Sequence, residues 1–590
     1  MVARARLTPS SGGSRRAGAF GSITAEVVIL ALVIALPAVV NPTGVVAFEP
    51  EKASVLRVGA VFVAAAWLTW RFLGRPTVDV GRQPIARAAA GFAGFSLVST
   101  ALSVQPALSF LGSFDRGMGW LTLASGMIIM LAGADLWTDP RRRERLVSAV
   151  VIGALIPSAY VLLQRTGRDP IPWNTLGAPG STLGSPTFLG GYLDIVVPFA
   201  LYRVVSGARA ALSGTWRSAL GYAGWLAALL IIGAVVAQTT IRGPLLGLVC
   251  GTLTFGLVLG RRGRVALLGA FGFVCLTLLL ASFATGSAGL AAVGRFLRVA
   301  GAGDSSVERL VVWRDALGLP LVDPLRALIG FGPETQAGIF ERAEATVRLT
   351  QNAQWDRAHS LLLDTWLTVG ILGVAGLLVL LALAVATTLR QAERPLLAAG
   401  ILGALVGHVI EASFAFQTVV SGTLFWVVLG LVASLAPRQL VRPIAPRRGL
   451  AVLSIGVSLA LVPLMAAPAI GDALYGQRQY EAASAWLPWV EEPIRASALA
   501  WQRAGVAERA EVDLVEAARR APLEPTPAVR LVRFYLLYDR LAEAEAACQQ
   551  ALARGPYRAV VWDACADVSA QAGDSTRARA WRAHADDLRK

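Results

Sequence analysis

Charge, histidine and cysteine are all scarce in this chain of 590 residues. Only 16% of its residues are charged, where a soluble globular protein carries about 25%. That deficit excludes an ordinary soluble domain, and it is not evenly spread. Cysteine occurs four times: Cys250 and Cys275 lie in apolar runs, Cys548 and Cys565 in the tail. No CxxC or zinc spacing exists, which argues against a metal site. A Cys548–Cys565 bridge requires an extracytoplasmic tail, and two buried helix cysteines are the preferred reading. A small-residue cleavage site is also lacking. Arg4, Arg6, Arg15 and Arg16 are therefore expected to precede an uncleaved first helix rather than a removable signal peptide. The net charge of +16 would suggest nucleic acid in a soluble protein. No basic stripe interleaved with aromatics is present, so nucleic-acid binding is set aside.

What is abundant is apolar sequence, at 55% of residues. Most of residues 23–470 reads as apolar runs split by short basic or Gly/Pro loops, each close to the ~20 residues that span a bilayer as a helix. In lipid every backbone polar group needs an internal partner, so these runs are predicted to be helices. They fall at roughly 23–40, 53–73, 85–104, 118–137, 146–164, 187–206, 218–238, 242–260, 264–285, 361–389, 395–415, 419–436 and 449–470, thirteen give or take one. The fold class is thus an all-α polytopic membrane bundle of about 12–13 helices, following a basic segment at 1–22.

Loop charge tests that map. With the N-terminus inside, the inside segments carry 21 Lys and Arg, and the short outside loops carry 5. This asymmetry follows the positive-inside rule and fixes the expected orientation. The long segment 286–360 and everything after about 471 are then outside.

Residues 471–590 change character, becoming rich in Ala, Arg and Glu. Shifting the tail by 34 places Pro522 over Pro556, Ala517 over Ala551, Ala510 over Ala544 and Ala544 over Ala578. Small residues recurring at that period resemble tetratricopeptide repeats, with a plain helical bundle as the simpler alternative. The tail is expected to be an extracytoplasmic α-solenoid that offers a concave face to a protein partner. It holds no catalytic constellation, and His584 is expected on a solvated face.

Charges at membrane depth or at its outer surface are costly and mark functional candidates. Arg242 opens a helix in Thr239-Thr240-Ile241-Arg242-Gly243-Pro244. His359 opens another in Arg357-Ala358-His359-Ser360. Arg116 ends an outer loop after Asp115, its simplest partner, and Arg309 lies in the long outer segment. Glu411 sits about one turn inside the outer end of its helix, with His408 expected in the core and Asp194 at mid-depth. Arg is a fixed cation whose planar fork matches phosphate oxygens. Several together can hold a diphosphate as a leaving group. His titrates near neutrality and can take a proton from an attacking hydroxyl. The set therefore points to transfer of a sugar chain from a polyprenyl diphosphate to an acceptor hydroxyl, with no metal or other cofactor. Each residue also has a plainer role as interfacial anchor, cap or surface charge.

Four stretches carry a family likeness: Leu108 through Gly117; Gly184-Ser185-Pro186-Thr187-Phe188-Leu189-Gly190-Gly191-Tyr192-Leu193; Thr239 through Gly243; and Arg309 to Trp313 with Ile329-Gly330-Phe331-Gly332-Pro333-Glu334, His359-Ser360 and Thr368 through Gly373. In this order they resemble the O-antigen ligase family, which also holds O-antigen polymerases and protein O-oligosaccharyltransferases. The resemblance covers roughly residues 85–435. It implies a glycosyltransferase-C-like membrane bundle in a bacterial inner membrane, with a lipid, glycan or protein acceptor. It further implies that Arg242 and Arg309 contact the lipid-linked diphosphate and that His359 acts on the acceptor. Arg116, Arg357, Glu334 and Glu411 complete the candidate site as substrate-binding residues. Ser360 stands where Asn is usual, and Thr240-Ile241 replaces the usual Ser before Arg242, which leaves the acceptor open. The competing functions are a transporter or lipid flippase, and a non-catalytic scaffold that presents the tail.

Overall fold

The computed structural model describes residues 12–73, 80–171, 173, 180–212, 214–238, 241–260, 272, 305–351, 354–391, 393–437 and 447–589. The expected span 264–285, with Cys275, lies outside the described residues, as do 286–304 of the long segment and Thr239-Thr240. Among the described residues every regular element is helical.

The membrane part comprises α1 (Gly12–Ala35), α2 (Glu49–Leu73), α3 (Pro84–Ala101), a short α4 (Pro106–Leu111), α5 (Trp120–Leu136), α6 (Pro140–Arg165), α7 (Pro186–Leu212), α8 (Trp216–Gln238) and α9 (Arg242–Val258). After the segment built from α10 (Ser305–Gly318), α11 (Pro324–Ile329), α12 (Gln336–Phe340) and α13 (Glu344–Leu349), it resumes with α14 (Leu361–Leu389), α15 (Pro395–Ala412), α16 (Val419–Leu435) and α17 (Arg448–Gly476). Eight of these, α1, α2, α6, α7, α8, α14, α15 and α17, are long and apolar enough to cross a membrane. Helices α5, α9 and α16 are shorter apolar helices, and α3 occupies the remaining expected position.

Local chemistry starts these helices where they start. Proline stands at the first turn of α3, α6 and α15, where its missing N–H is no loss and its fixed φ suits the helix. Asp139 caps α6 by accepting from the Arg141 amide, and Thr418 with Ser421 forms a reciprocal cap on α16.

Small residues set the tightest packing. A Cβ on Gly251 of α9 would lie 2.7 Å from the Gly403 carbonyl of α15, and one on Gly403 would lie 2.8 Å from the Gly251 carbonyl. Gly247 and Gly407 sit one turn along the same seam. Paired small-xxx-small stripes let two membrane helices approach backbone to backbone. This seam carries the start of α9, and so Arg242, to the end of α15. The Gly243 position faces the Glu411 carbonyl and the Phe414 Cβ at 3.7 and 3.6 Å.

The tail consists of α18 (Tyr480–Trp486), α19 (Glu492–Arg503), α20 (Ala507–Arg520), α21 (Pro525–Leu537), α22 (Leu541–Arg554), α23 (Ala559–Gln571) and α24 (Ser575–Leu588). Helix α17 runs on to Gly476 before the tail begins, so the boundary expected at 471 falls inside a helix. Ala510, Ala544 and Ala578 are buried, as are Ala517 and Ala551, so the 34-residue shift marks the inward helix faces. One correction arises here. Cys548 and Cys565 form a disulfide rather than standing as two separate buried thiols. Consecutive helices α22 and α23 turn their small-residue faces to one another, and the two cysteines meet on those faces. His584 is exposed as expected, though its ring rests 4.4 Å from that of Trp562.

Candidate functional site

The outer end of the bundle gathers the candidate residues around two phenylalanines in the short turn between α15 and α16. The Arg309 guanidinium of α10 donates to the Phe414 carbonyl at 2.8 Å. Trp313, one turn along α10, lies tilted against Phe414 with ring centres 6.4 Å apart and donates its Nε1 proton to the Ala358 carbonyl at 2.8 Å. Arg242 is exposed at the start of α9, directly beside that turn. The Arg309 side chain and the start of α9, where Arg242 stands, therefore both border Phe414.

Phe416 forms the second platform. The His359 ring meets it edge-on at 5.2 Å, and Trp355 closes the opposite edge of the imidazole at 5.1 Å. The Arg116 guanidinium lies over Phe416 at 5.0 Å and over Phe188 of α7 at 5.6 Å, and Arg357 lies over Phe416 at 5.8 Å. Arginine is weakly hydrated and stacks well on aromatic faces, so such rings can hold it with its edges still able to donate. Arg116 does not take up its plainer alternative, a pair with neighbouring Asp115. It forms an ion pair at 2.7 Å with Asp356, because the turn after α4 folds back against the strand-like stretch before α14.

His359 sits at a backbone φ of +55°, a left-handed conformation that a non-glycine residue keeps only when its surroundings enforce it. The enforcing group is Asp364. Its carboxylate accepts from the Ala358 amide at 2.8 Å and from the Ser360 amide at 3.3 Å, one on each side of the histidine. The ring Nδ1 is 3.1 Å from the Arg357 carbonyl. A carbonyl only accepts, so the neutral ring carries its proton on Nδ1 and leaves a lone pair on Nε2. Burial lowers the affinity of His359 for a proton. The backbone carbonyl and Asp356 act against this, the charges of Arg309 and Arg116 reinforce it, and the net direction is down from 6.5. The imidazole is thus a free base at neutral pH.

Glu334 is placed by the turn at 330–334. The Phe331 and Gly332 amides donate to the Leu367 and Thr368 carbonyls of α14 at 2.8 and 3.0 Å. These acceptors are free because α14 breaks at Gly370, whose φ is +68°. Gly330 has a φ of +73°, and a Cβ there would lie 2.3 Å from the Thr368 backbone. On the other side the Ser109 hydroxyl donates to the Pro333 carbonyl at 2.7 Å. Glu334 then takes a hydrogen bond from the Ser113 amide at 3.1 Å, another from the Ser113 hydroxyl, and an ion pair from Arg357. Burial alone would raise its carboxyl. The Arg357 charge and the Ser113 donors outweigh that, so Glu334 is held below the usual carboxylate range. Asp356 is likewise held low, its burial outweighed by Arg116 and Arg357.

The Glu334–Arg357 pair divides two spaces. Below it an apolar crevice of about 150 Å³ runs between α3, α5, α14 and α16, past Phe92, Met118, Leu123, Phe425 and Trp426. Above it lies a polar cleft of about 340 Å³ closed by the tail.

Glu411 stands apart from this cluster. Its carboxyl packs at the Gly191 position of α7, within 2.5 Å of where a Cβ would be. Asp194 fills the neighbouring space against Gly247. Both carboxyls are buried where α7, α9 and α15 meet. His408 is buried too, its Nε2 2.9 Å from Gln417 Nε2.

Sequence reasoning did not single out Phe188, Phe416, Asp356 or Asp364. Phe416 stands in the three-residue gap 416–418 between two expected helices, and Asp364 sits on an otherwise apolar helix. Either could have been suspected, but neither position says what it faces.

No curated protein matches the chain. The profile of the family described as O-antigen ligase matches residues 226–378, about a quarter of the chain. That stretch contains Arg242, Arg309, Glu334, Arg357 and His359, and over it the chain is similar to O-antigen ligases.

Proposed function

We propose that this protein is a membrane glycosyltransferase that moves an oligo- or polysaccharide from a polyprenyl-diphosphate carrier to an acceptor hydroxyl. The observation that carries the reading is the Phe414–Phe416 turn, where Arg309, Arg116, Arg357 and His359 converge from distant parts of the chain and beside which Arg242 opens α9. Arg242 and Arg309 hold the diphosphate, helped by the positive end of α9. The arginine cations carry the charge that a metal carries in other phosphate-handling sites. His359 accepts the proton of the acceptor hydroxyl through Nε2. The hydroxyl oxygen bonds to the anomeric carbon, the bond from that carbon to the diphosphate oxygen breaks, and the carrier diphosphate leaves with the electron pair. The apolar crevice beneath Arg357 suits a lipid tail. Glu334 keeps Arg357 fixed in place.

In this reading the chain sits in a bacterial inner membrane, with the N-terminus cytoplasmic and the site and tail outside. The disulfide of the tail suits an oxidising, extracytoplasmic compartment. The tail acts as a tetratricopeptide-like solenoid that contacts a further component of the process.

The test uses membranes supplied with a labelled polyprenyl-diphosphate oligosaccharide, and compares the parent with His359→Ala and Arg242→Ala at equal expression. The parent should transfer label, and loss of the base should slow transfer by about 10²–10⁴-fold. Label that stays on the carrier and changes only its side of the membrane would instead identify a transporter.

A further inference from the structure

The tail is fixed to the membrane part at both ends of the polar cleft. On one side Arg558 makes a two-pronged pair with Glu341 at 2.7 and 2.7 Å, and the Ala559 amide donates to Gln351 Oε1 at 2.9 Å. On the other, Trp489 donates its Nε1 proton to the Gly112 carbonyl at 3.0 Å, and Leu523 packs against Gly338. The space enclosed has a floor made of two ion pairs of the candidate site, Arg116–Asp356 and Glu334–Arg357. Its roof is made of tail residues, among them Trp489, Glu492 and Glu524. About 340 Å³ falls at the lower end of the ~300–1,000 Å³ range of small-molecule sites.

The two ends of the active region differ in charge. The Phe414 side presents Arg242 and Arg309, whereas the cleft presents more carboxyls than its own arginines pair with. Glu491 is satisfied by Arg495 at 2.8 Å. Arg520 spends its donors on Glu516, Ser484 and the Leu487 and Val490 carbonyls. Glu492, Glu524 and Asp115 face the cleft, and no side chain among the described residues pairs with them. Burial, then the neighbouring acids, push Glu492 up to about 8 and Glu524 up to about 7. A carboxyl in this state can both give and take hydrogen bonds with vicinal hydroxyls, and it gains from a nearby amine. The fixed, half-buried Trp489 ring offers a flat apolar face to a sugar ring.

We infer that the cleft between the tail and the membrane part is the acceptor subsite, and that it takes an uncharged or amine-bearing sugar and rejects an anionic one. It rests on the transferase reading for its place in the reaction, but not for its ligand preference. The Arg116–Asp356 pair joins the two regions. It lines the cleft, and its arginine shares the Phe416 ring with His359. The cleft arginines Arg116, Arg357 and Arg520 are already engaged by Asp356, Glu334 and Glu516, so the diphosphate of a carrier is better held at the Phe414 side, and donor and acceptor sort to opposite sides of His359.

The experiment is saturation-transfer NMR on the purified full chain in nanodiscs with three tetrasaccharide probes: chitosan (amines), N-acetylated chito-oligosaccharide (neutral) and oligogalacturonate (acids). The first two should bind saturably, and the third about tenfold more weakly or less. In Glu492→Gln/Glu524→Gln the advantage of the amine over the neutral probe should disappear, while Trp489→Ala should weaken the neutral probe. Equal binding of the galacturonate, an unchanged order in the double variant, or no saturable binding of any probe overturns the inference. Label transfer is followed on the same preparations. Loss of the binding order with transfer intact rejects the cleft alone. Transfer that survives His359→Ala and Arg242→Ala rejects the transferase reading and leaves the binding order standing on its own.

Discussion

At the scale of single residues, the candidate site depends on one imidazole kept neutral. His359 is lowered by burial first and by Arg309 and Arg116 as well, with Asp356 pulling the other way. A general base works only when deprotonated. Transfer should therefore be lost as pH falls through a value below 6.5. Arg116→Met removes one positive neighbour and frees Asp356 to favour the imidazolium. Both effects raise the proton affinity of His359, so the acidic limb of the kcat/KM profile should move to higher pH. A limb that stays put, or moves lower, would show that the ionisation belongs to another group.

At the scale of elements, a kink and a turn carry the geometry. Helix α14 breaks at Gly370, and the freed carbonyls of Leu367 and Thr368 receive the turn that presents Glu334. A Cβ on Gly370 would stand 2.5 Å from the backbone of Ile329 and Leu328, and its φ of +68° with ψ of −163° is a conformation essentially reserved for glycine, at a cost to other residues of about 1–3 kcal/mol. Gly370→Ala should lower the melting temperature in detergent and reduce transfer together, since the turn has nowhere to retreat. Asp364→Ala should separate the two properties. Its carboxylate holds the amides on both sides of His359, and misplacing a reacting group by about 1 Å costs about 10²-fold. The expected result is a large fall in kcat with a smaller change in KM. An equal loss across all substrates that follows protein yield would instead mean a purely structural role.

At the scale of the whole molecule, the tail is held over the cleft by a buried ion pair. Arg558 and Glu341 are 8% and 2% exposed at their side chains, and removing one partner of such a pair costs about 3–5 kcal/mol. Arg558→Ala should loosen the tail from the segment around Glu341 while leaving the helices of the bundle in place. Hydrogen exchange should then rise in α13 and at the start of α23, with little change in α9 or α15. The reversed pair, Arg558→Glu with Glu341→Arg, should restore protection. Exchange that is unchanged in the single variant would mean that the Trp489 and Leu523 contacts suffice to hold the tail.

The helical bundle was legible in the sequence because its cause is local. A run of apolar residues in lipid has one way to satisfy its own backbone, and the described helices lie close to the expected runs. Prolines and caps explain several of the starts. The 34-residue period of the tail was visible for the same reason, since small residues must recur wherever helices touch. Arg242, Arg309, Glu334, Arg357 and His359 were legible as charges at helix ends and as parts of short family-like stretches. What no local pattern states is which distant residue each one meets. The glycine seam of α9 and α15 brings Arg242 to Phe414, although Gly247, Gly251, Gly403 and Gly407 stood in plain view. Arg116 takes Asp356 in preference to its neighbour Asp115, and Glu411 turns to α7. The cysteines become a bridge only because α22 and α23 fold face to face, and the acidic cleft exists only because the tail returns over the site. Sequence fixes the elements through hydrogen bonds and burial within a few turns. Partners and cavities follow from packing between elements far apart in the chain, and only the tertiary structure decides those.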